Sequence, residues 1–537
     1  MTTDALADII RNRRIALGYS QDMVADFCDI DRTALGRIEN HYRTMTVEQA
    51  DKLIRALGLG ELGIIPASQG SGEPYTIASM IAESTGNEAP EEPMFETPKE
   101  YATCAVIADQ KTSSTIYGQM DSSGKKLLVR NDDAENKMDK NIFLVGNSGS
   151  GKTRYFCKSY LEQALKRGES VIVLDEEGVL MNETKDAFEA AGYVVKTLNV
   201  GAKNPEASEA LNILPSLDGD KMDNVVRERA MILSETILDA YGKTIQPRLY
   251  DLYQNCAHML LSSVIEYVLC EAEDKNMGTV ISILRKGLDY LQDSLFADEN
   301  IPGAYDFKTV LMASPNLRAN VYVQVMQILE CLPPQVMLSD TEFFDIFKKP
   351  AAVFIRWLYA DMRPDQLGNV SFIVTYLRRM AALYADSCPE HALIYPLTFV
   401  FDGFSALPYN ENFWKALFTS RKRGISFVFT VQSLTQLSCT YPDNWDTILS
   451  CCGTLISFGN SDMFTSTFLN KRIGDTVSVV ADNCKKQKEV LDKISDMFGV
   501  NVSVEQISVG KLPPLKDDEA YILFQGHRPI KAKKYMK

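Results

Sequence analysis

The segment GNSGSGKT, residues 146–153, holds the residue types and spacing that most directly imply chemistry. Gly146, Gly149 and Gly151 leave the backbone free to curl until successive N–H groups point at one anion. Lys152 adds an ammonium for β- and γ-phosphate charge, and Thr153 adds a hydroxyl able to ligate Mg2+. The flanks suit the motif, with the apolar strand NIFLV leading in and the amphipathic run YFCKSYLEQALKRG leading out. The ligands implied are ATP and Mg2+.

Such a loop needs an acid at the end of another buried strand, placed to reach the metal's hydration shell. YPLTFVFD ends in Asp402, so Thr153 and Asp402 form the candidate metal pair. Gly403 follows, where a nucleotide motor usually keeps a glutamate. A further strand, ISFVFTV, ends at Gln432, a residue type that senses a γ-phosphate or positions water. The basic turn SRKRG before it offers Arg421, which could stabilise transferring charge in a neighbouring subunit. Spacing alone leaves the plainer alternatives open: a loop-capping aspartate, a loop-bonded glutamine and a solvated basic turn.

At 537 residues the chain exceeds what one core usually supports, so two or three domains are expected. Lys and Arg total 56 against 71 Asp and Glu, and a net charge of −15 argues against a surface that coats nucleic acid indiscriminately. Eleven scattered cysteines without a C-x-x-C pair read as reduced thiols, and four dispersed histidines make a zinc site a poor reading. No apolar run reaches the roughly 18 residues that span a bilayer; AHMLLSSVIEYVL carries His258 and Glu266. A soluble, cytoplasmic protein is expected.

The elements that must position these residues divide the chain into expected segments. Residues 1–60 carry apolar residues at helical spacing with glycine stops, and read as four short helices. Residues 61–100 turn to Gly, Ser, Pro and Glu, a flexible acidic linker. Strand and helix patterns alternate over 101–215, become almost wholly helical over 216–345, and alternate again over 346–537. The fold class expected is therefore α/β: a nucleotide-binding sheet domain with an inserted all-α domain, preceded by a small all-α domain.

With those motifs in order, residues 101–537 resemble the TraG-type coupling proteins of type IV secretion and conjugation. The resemblance rests on the phosphate loop, VIVLDEEGVLMNETKDAFEAAGYVVKTLNV, the stretch from VFDGFSALP through SRKRGISFVFTVQSLTQL, and the ending DEAYILFQGHRPIKAKKY. It implies a RecA-like ATPase, often a hexameric ring, that couples ATP hydrolysis to moving DNA and docks a relaxase-bound strand. Carried over by position, Lys152 and Thr153 fall on Walker A, Asp402 on Walker B, Gln432 on the strand-end glutamine and Arg421 on the arginine finger.

Three departures accompany it. Walker B reads Asp402-Gly403 in place of Asp-Glu, which predicts slow hydrolysis with binding retained. The family's Asp-Pro-Lys-Gly is here Asp175, Glu176, Glu177, Gly178, and Glu176 is a candidate stand-in base. The family's N-terminal membrane helices have no counterpart in these residues.

Residues 4–58 resemble the Cro-type (XRE) helix-turn-helix family, through Gln21, Ala25, Ile30, Leu35, Ile38 and Glu39 in GYSQDMVADFCDIDRTALGRIEN. The resemblance implies a second motif helix in the DNA major groove. Arg32, Thr33 and Arg37 face outward if Leu35 and Ile38 face the core, and Gln21 is placed for a phosphate or base contact. Asp22, Asp26, Asp29 and Asp31 offset the arginines, so affinity is expected to come from linked copies. Three functions follow: a DNA-associated ATP-binding coupling relative with slow hydrolysis, an ATP-gated regulator or scaffold, and a competent DNA translocase.

Overall fold

A computed structural model describes residues 7, 10, 11, 14, 21–28, 30–39, 47–57, 99, 101–121, 123–132, 138–200, 208–214, 223–245, 247–337, 345–357, 364–407, 411–460, 462–474 and 515–536. It separates into two compact units, Met1–Glu92 with Gly474–Lys511 and Pro93–Ile473 with Leu512–Lys537. The expected acidic linker lies outside the described residues apart from Lys99.

In the first unit, helices α1 (Gln21–Phe27), α2 (Arg32–Glu39) and α3 (Val47–Ala56) enclose Ile10, Val24, Ala25, Leu35, Leu53, Ile54 and Leu57. Asp31 starts α2 by accepting the Ala34 N–H at 3.0 Å, the role a short acidic side chain plays at a helix N-terminus. The apolar positions predicted to face inward, Leu35 and Ile38, are buried, and so is Ala34.

The second unit is built on one sheet. Its strands are β1 (Ala105–Ala108), β2 (Ile116–Gln119), β3 (Leu127–Arg130), β4 (Ile142–Val145), β5 (Ser170–Asp175) and β6 (Val194–Val200). After the long helical stretch come β7 (Ala351–Trp357), β8 (Leu397–Asp402), β9 (Ile425–Val431), β10 (Thr454–Ser457), β11 (Glu519–Phe524) and β12 (Ile530–Lys533). The twelve strands lie in the order β1-β3-β2-β12-β11-β10-β4-β9-β8-β5-β7-β6. From β10 to β6 all pairings are parallel; from β11 to β1 all are antiparallel.

The parallel strands read as continuous apolar runs because both faces are covered. On β4, Phe143 and Val145 enter one core while Ile142 and Leu144 enter the other. Phe399 and Phe401 of β8 pair in register with Phe427 and Phe429 of β9, and the Phe401 and Phe429 rings stack at 5.5 Å. That aromatic slab fixes the two strand ends beside the phosphate loop. Helices α4 (Lys158–Arg167) and α5 (Val179–Ala190) cover the opposite face through Leu161, Ala164, Leu180 and Phe188.

Between β6 and β7 lie α6 (Asp223–Ile245), α7 (Pro247–Glu271), α8 (Met277–Leu284), α9 (Ala304–Leu311) and α10 (Pro315–Glu330). The strands on either side of this insertion are direct parallel neighbours, Val194 opposite Ala351, so the sheet continues unbroken across it. Helix α7 packs against α6, α8, α9 and α10, burying Leu260, Leu261, Val264, Ile265 and Val268. No described helix is long and apolar enough to cross a membrane.

The ending IKAKKY supplies the last strand of the sheet. Ile530–Lys533 form β12 and pair with β11, Ile522 opposite Ile530, because Ile530 and Ala532 alternate inward with lysines outward.

Candidate nucleotide site and helix-turn-helix region

The candidate nucleotide site lies at the C-terminal edge of the parallel strands, where the loop after β4 turns into a helix. Gly149 and Gly151 adopt left-handed backbone (φ 76° and 85°), and a methyl on Gly151 would lie 2.3 Å from the Tyr155 ring. The helix begins with a wide turn, Lys152–Cys157, whose N-terminus has no side-chain cap, leaving backbone N–H groups for an anion. Lys152 Nζ spans the loop, donating to the carbonyl oxygens of Gly146 (2.7 Å) and Asn147 (3.0 Å). Burial lowers the pKa of this ammonium, with Asp402 acting against the shift.

The loop and the acid meet. Thr153 Oγ1 donates to Asp402 Oδ2 at 2.7 Å, and Thr430 Oγ1 donates to Asp402 Oδ1 at 3.1 Å. Thr430 also accepts the Gly403 N–H at 3.0 Å, so one buried hydroxyl from β9 fixes both residues at the end of β8. A hydroxyl and a carboxylate in contact are hard oxygen donors, and they suit Mg2+. These two residues would hold the ion, which would neutralise phosphate charge.

The neighbouring strand adds more acid. Asp175 ends β5 directly opposite Asp402, is 1% exposed, and accepts the Met181 N–H at 2.8 Å. Burial raises its pKa, backbone N–H groups oppose that, and Asp402 adds to it. Glu176 is half-buried and its carboxyl pKa is also raised, first by burial, then by Glu177 and Asp402. Gly403 has φ 96°, a left-handed conformation in which any side chain is strained, at about 1 kcal/mol or more.

Gln432 emerges from β9, which lies between β4 and β8. Its carbonyl oxygen accepts from Asn460 Nδ2 (2.8 Å) and its Oε1 from Gln436 Nε2 (3.4 Å). Arg421 is exposed in a turn, Arg421–Arg423, that precedes β9, so it sits at the far end of that seven-residue strand. At about 3.3 Å per residue the separation along the strand is roughly 20 Å. Within one chain Arg421 is therefore on the opposite sheet edge from the phosphate loop.

Two residues at the site escaped the sequence reading. Lys534, 7% exposed, donates to the Ser150 carbonyl in the phosphate loop at 3.0 Å and stacks 4.7 Å over Phe458. Thr430 is the polar interruption in ISFVFTV, a signal that was visible.

In the first unit, Arg32, Thr33 and Arg37 are exposed on α2, and Arg32 Nε pairs with Asp22 Oδ1 at 2.8 Å. Gln21 is half-buried at the start of α1. Its Nε2 donates to Glu39 Oε2 at 2.7 Å, and buried Glu39 also takes both Arg14 Nε (2.6 Å) and Arg14 NH2 (2.7 Å). This network ties the start of α1 to the end of α2.

Family models match three segments: "Helix-turn-helix" over residues 10–63, "Type IV secretory system Conjugative DNA transfer" over 99–308 and "TraM recognition site of TraD and TraG" over 396–508. Protein VirD4 of Rhizobium rhizogenes is 26% identical over 201 residues, 36% of this chain and 28% of the relative. Protein VirD4 of Rhizobium radiobacter is 24% identical over the same length. The match thus spans little more than a quarter of those curated relatives. Among solved structures, the unbound bacterial conjugative coupling protein TrwBdeltaN70 has a TM-score of 0.53 at 17% identity, over 84% of this chain and 95% of that one. TrwB in complex with ADP and Mg2+ has a TM-score of 0.52 at 16% identity, over 84% and 96%. At that identity the structures establish the fold: an α/β coupling-protein sheet with helices. In its matched segments and its fold the chain is similar to the coupling proteins of type IV secretion and conjugation, with a helix-turn-helix match at its N-terminal side.

Proposed function

We propose that the chain binds Mg·ATP on the loop 146–153 and acts as a DNA-associated nucleotide-driven protein of the coupling kind, with the helix-turn-helix selecting its DNA. The observation that carries this reading is the Thr153–Asp402 hydrogen bond, which joins the phosphate grip to the metal-side acid across two strands. TrwB structures hold the ATP analogue ADPNP, or ADP with Mg2+, on the same fold. Lys152 and the loop amides grip the β- and γ-phosphates, Thr153 and Asp402 hold Mg2+, and Gln432 reports on the γ-phosphate. Arg421, on the opposite edge, acts only on a second copy's nucleotide, which requires a ring such as a hexamer. The cytoplasm is the proposed location, a relaxase-bound strand the proposed cargo.

The segments 1–60, 61–100, 101–215, 216–345 and 346–537 are the proposed division of labour: DNA selection, tether, nucleotide sheet, helical insertion, nucleotide sheet. Because Gly403 brings no carboxylate to β8, a regulator in which ATP only sets assembly is the second reading.

The DNA claim rests on Arg32, Thr33 and Arg37, all exposed on the second motif helix. Footprinting on the intergenic DNA beside the coding sequence tests it. Protection of a defined site, with Arg37→Ala costing about 1–3 kcal/mol and relaxing base preference, is expected. Equal affinity for unrelated duplexes removes the claim.

A further inference from the structure

We infer that Glu176, carried by the strand next to Walker B, is the general base for ATP hydrolysis and occupies the place that a glutamate at position 403 would otherwise fill. The inference rests on the Mg·ATP reading above and deepens it.

The register makes the exchange possible. β5 and β8 are parallel neighbours with Asp175 opposite Asp402, so residues 176 and 403 leave their strands side by side. A methyl group on Gly403 would stand 3.4 Å from Glu176 Oε2. The Glu176 carboxylate therefore reaches to the edge of the volume into which a residue-403 side chain would project. Position 403 is unfit to supply that side chain itself, with φ 96° and its N–H committed to Thr430. At this corner of the sheet β8 brings no carboxylate after Asp402, and β5 brings one in Glu176.

The turn holding Glu176 is anchored at both ends. Asp175 accepts the Met181 N–H, and Gly178 is left-handed (φ 78°) with its Cα against the Arg356 side chain, where a methyl would lie 2.5 Å from Nε. Glu177, next in the chain, is exposed, so of the two glutamates only Glu176 is directed at the site.

In the step proposed, the Glu176 carboxylate takes a proton from a water beside the γ-phosphate as the water oxygen bonds to the γ-phosphorus. The bond from that phosphorus to the β,γ-bridging oxygen breaks, its electron pair stays on ADP, and inorganic phosphate leaves. Protonated Glu176 then returns its proton to solvent.

The experiment compares steady-state ATP turnover and Mg·ATP titration calorimetry for the full chain, Glu176→Gln and Glu177→Gln. General-base catalysis contributes about 10²–10⁴-fold, so Glu176→Gln is expected to lower kcat at least about a hundredfold. Its ATP affinity should stay within about threefold, since an isosteric amide leaves the grip intact, and Glu177→Gln should turn over as the unaltered chain does. Turnover by Glu176→Gln equal to the unaltered chain overturns the base assignment while leaving ATP binding standing. An unaltered chain that binds ATP without hydrolysing it overturns the assignment too. Absence of ATP binding removes both this inference and the reading beneath it.

Discussion

The ends of β4 and β8 stand two strands apart on one sheet edge, and they have kept different amounts of the machinery that belongs there. After β4 every part of a phosphate grip is present: left-handed glycines, an uncapped helix start, and a lysine folded over the loop. After β8 the metal-side acid remains and the base position is a glycine. The comparison teaches that the residues suited to holding a triphosphate and those suited to cleaving it stand on separate strands, so one set can be complete while the other differs. The relocation we propose goes to β5, where parallel register sets Asp175 opposite Asp402 and so brings the two strand ends together.

If the two corners are separable, damage at the end of β8 should leave the grip of the loop intact. Asp402→Asn removes the charge that faces Thr153, and Mg·ATP affinity should fall about tenfold, near 1.4 kcal/mol, while affinity for ATP without Mg2+ stays unchanged. Titration calorimetry with and without Mg2+ reads both; equal losses in the two conditions would break the separation. A smaller effect is expected from the other side of the loop. Lys534→Met keeps the stem on Phe458 but loses the charge-assisted bond to Ser150, so ATP affinity should drop about threefold to tenfold with turnover at saturation preserved. A drop in turnover without a drop in affinity would mean that Lys534 serves the chemical step and not the loop.

The sheet and the grip were legible in the sequence because both are local. IFLV, SVIVLD and ISFVFTV are apolar throughout, as strands covered on two faces must be, and GNSGSGKT carries its own geometry. The helix-turn-helix pattern likewise placed Leu35 and Ile38 inward and Arg32, Thr33 and Arg37 outward. What the sequence did not display were meetings set by register between distant segments. Lys534 reaches Ser150 only because β12 joins the sheet, and the alternation IKAK that signals this strand is short and set among basic residues. Motif position marks Gln21 for a phosphate or base contact, but not the bond its amide makes to a buried Glu39 paired with Arg14. Glu176 could be named as a stand-in from its motif alone, but its closeness to Gly403 depends on a strand pairing that no local pattern encodes.

The central claim is that the loop 146–153 binds Mg·ATP. Titration calorimetry of the full chain with ATP in the presence of Mg2+ tests it most directly, with Lys152→Ala as the partner measurement. The account predicts saturable binding at one site per chain, weakened about a hundredfold or more by the substitution, which removes the ammonium bonded to the Gly146 and Asn147 carbonyls. No binding by the unaltered chain, or equal binding by Lys152→Ala, would contradict it.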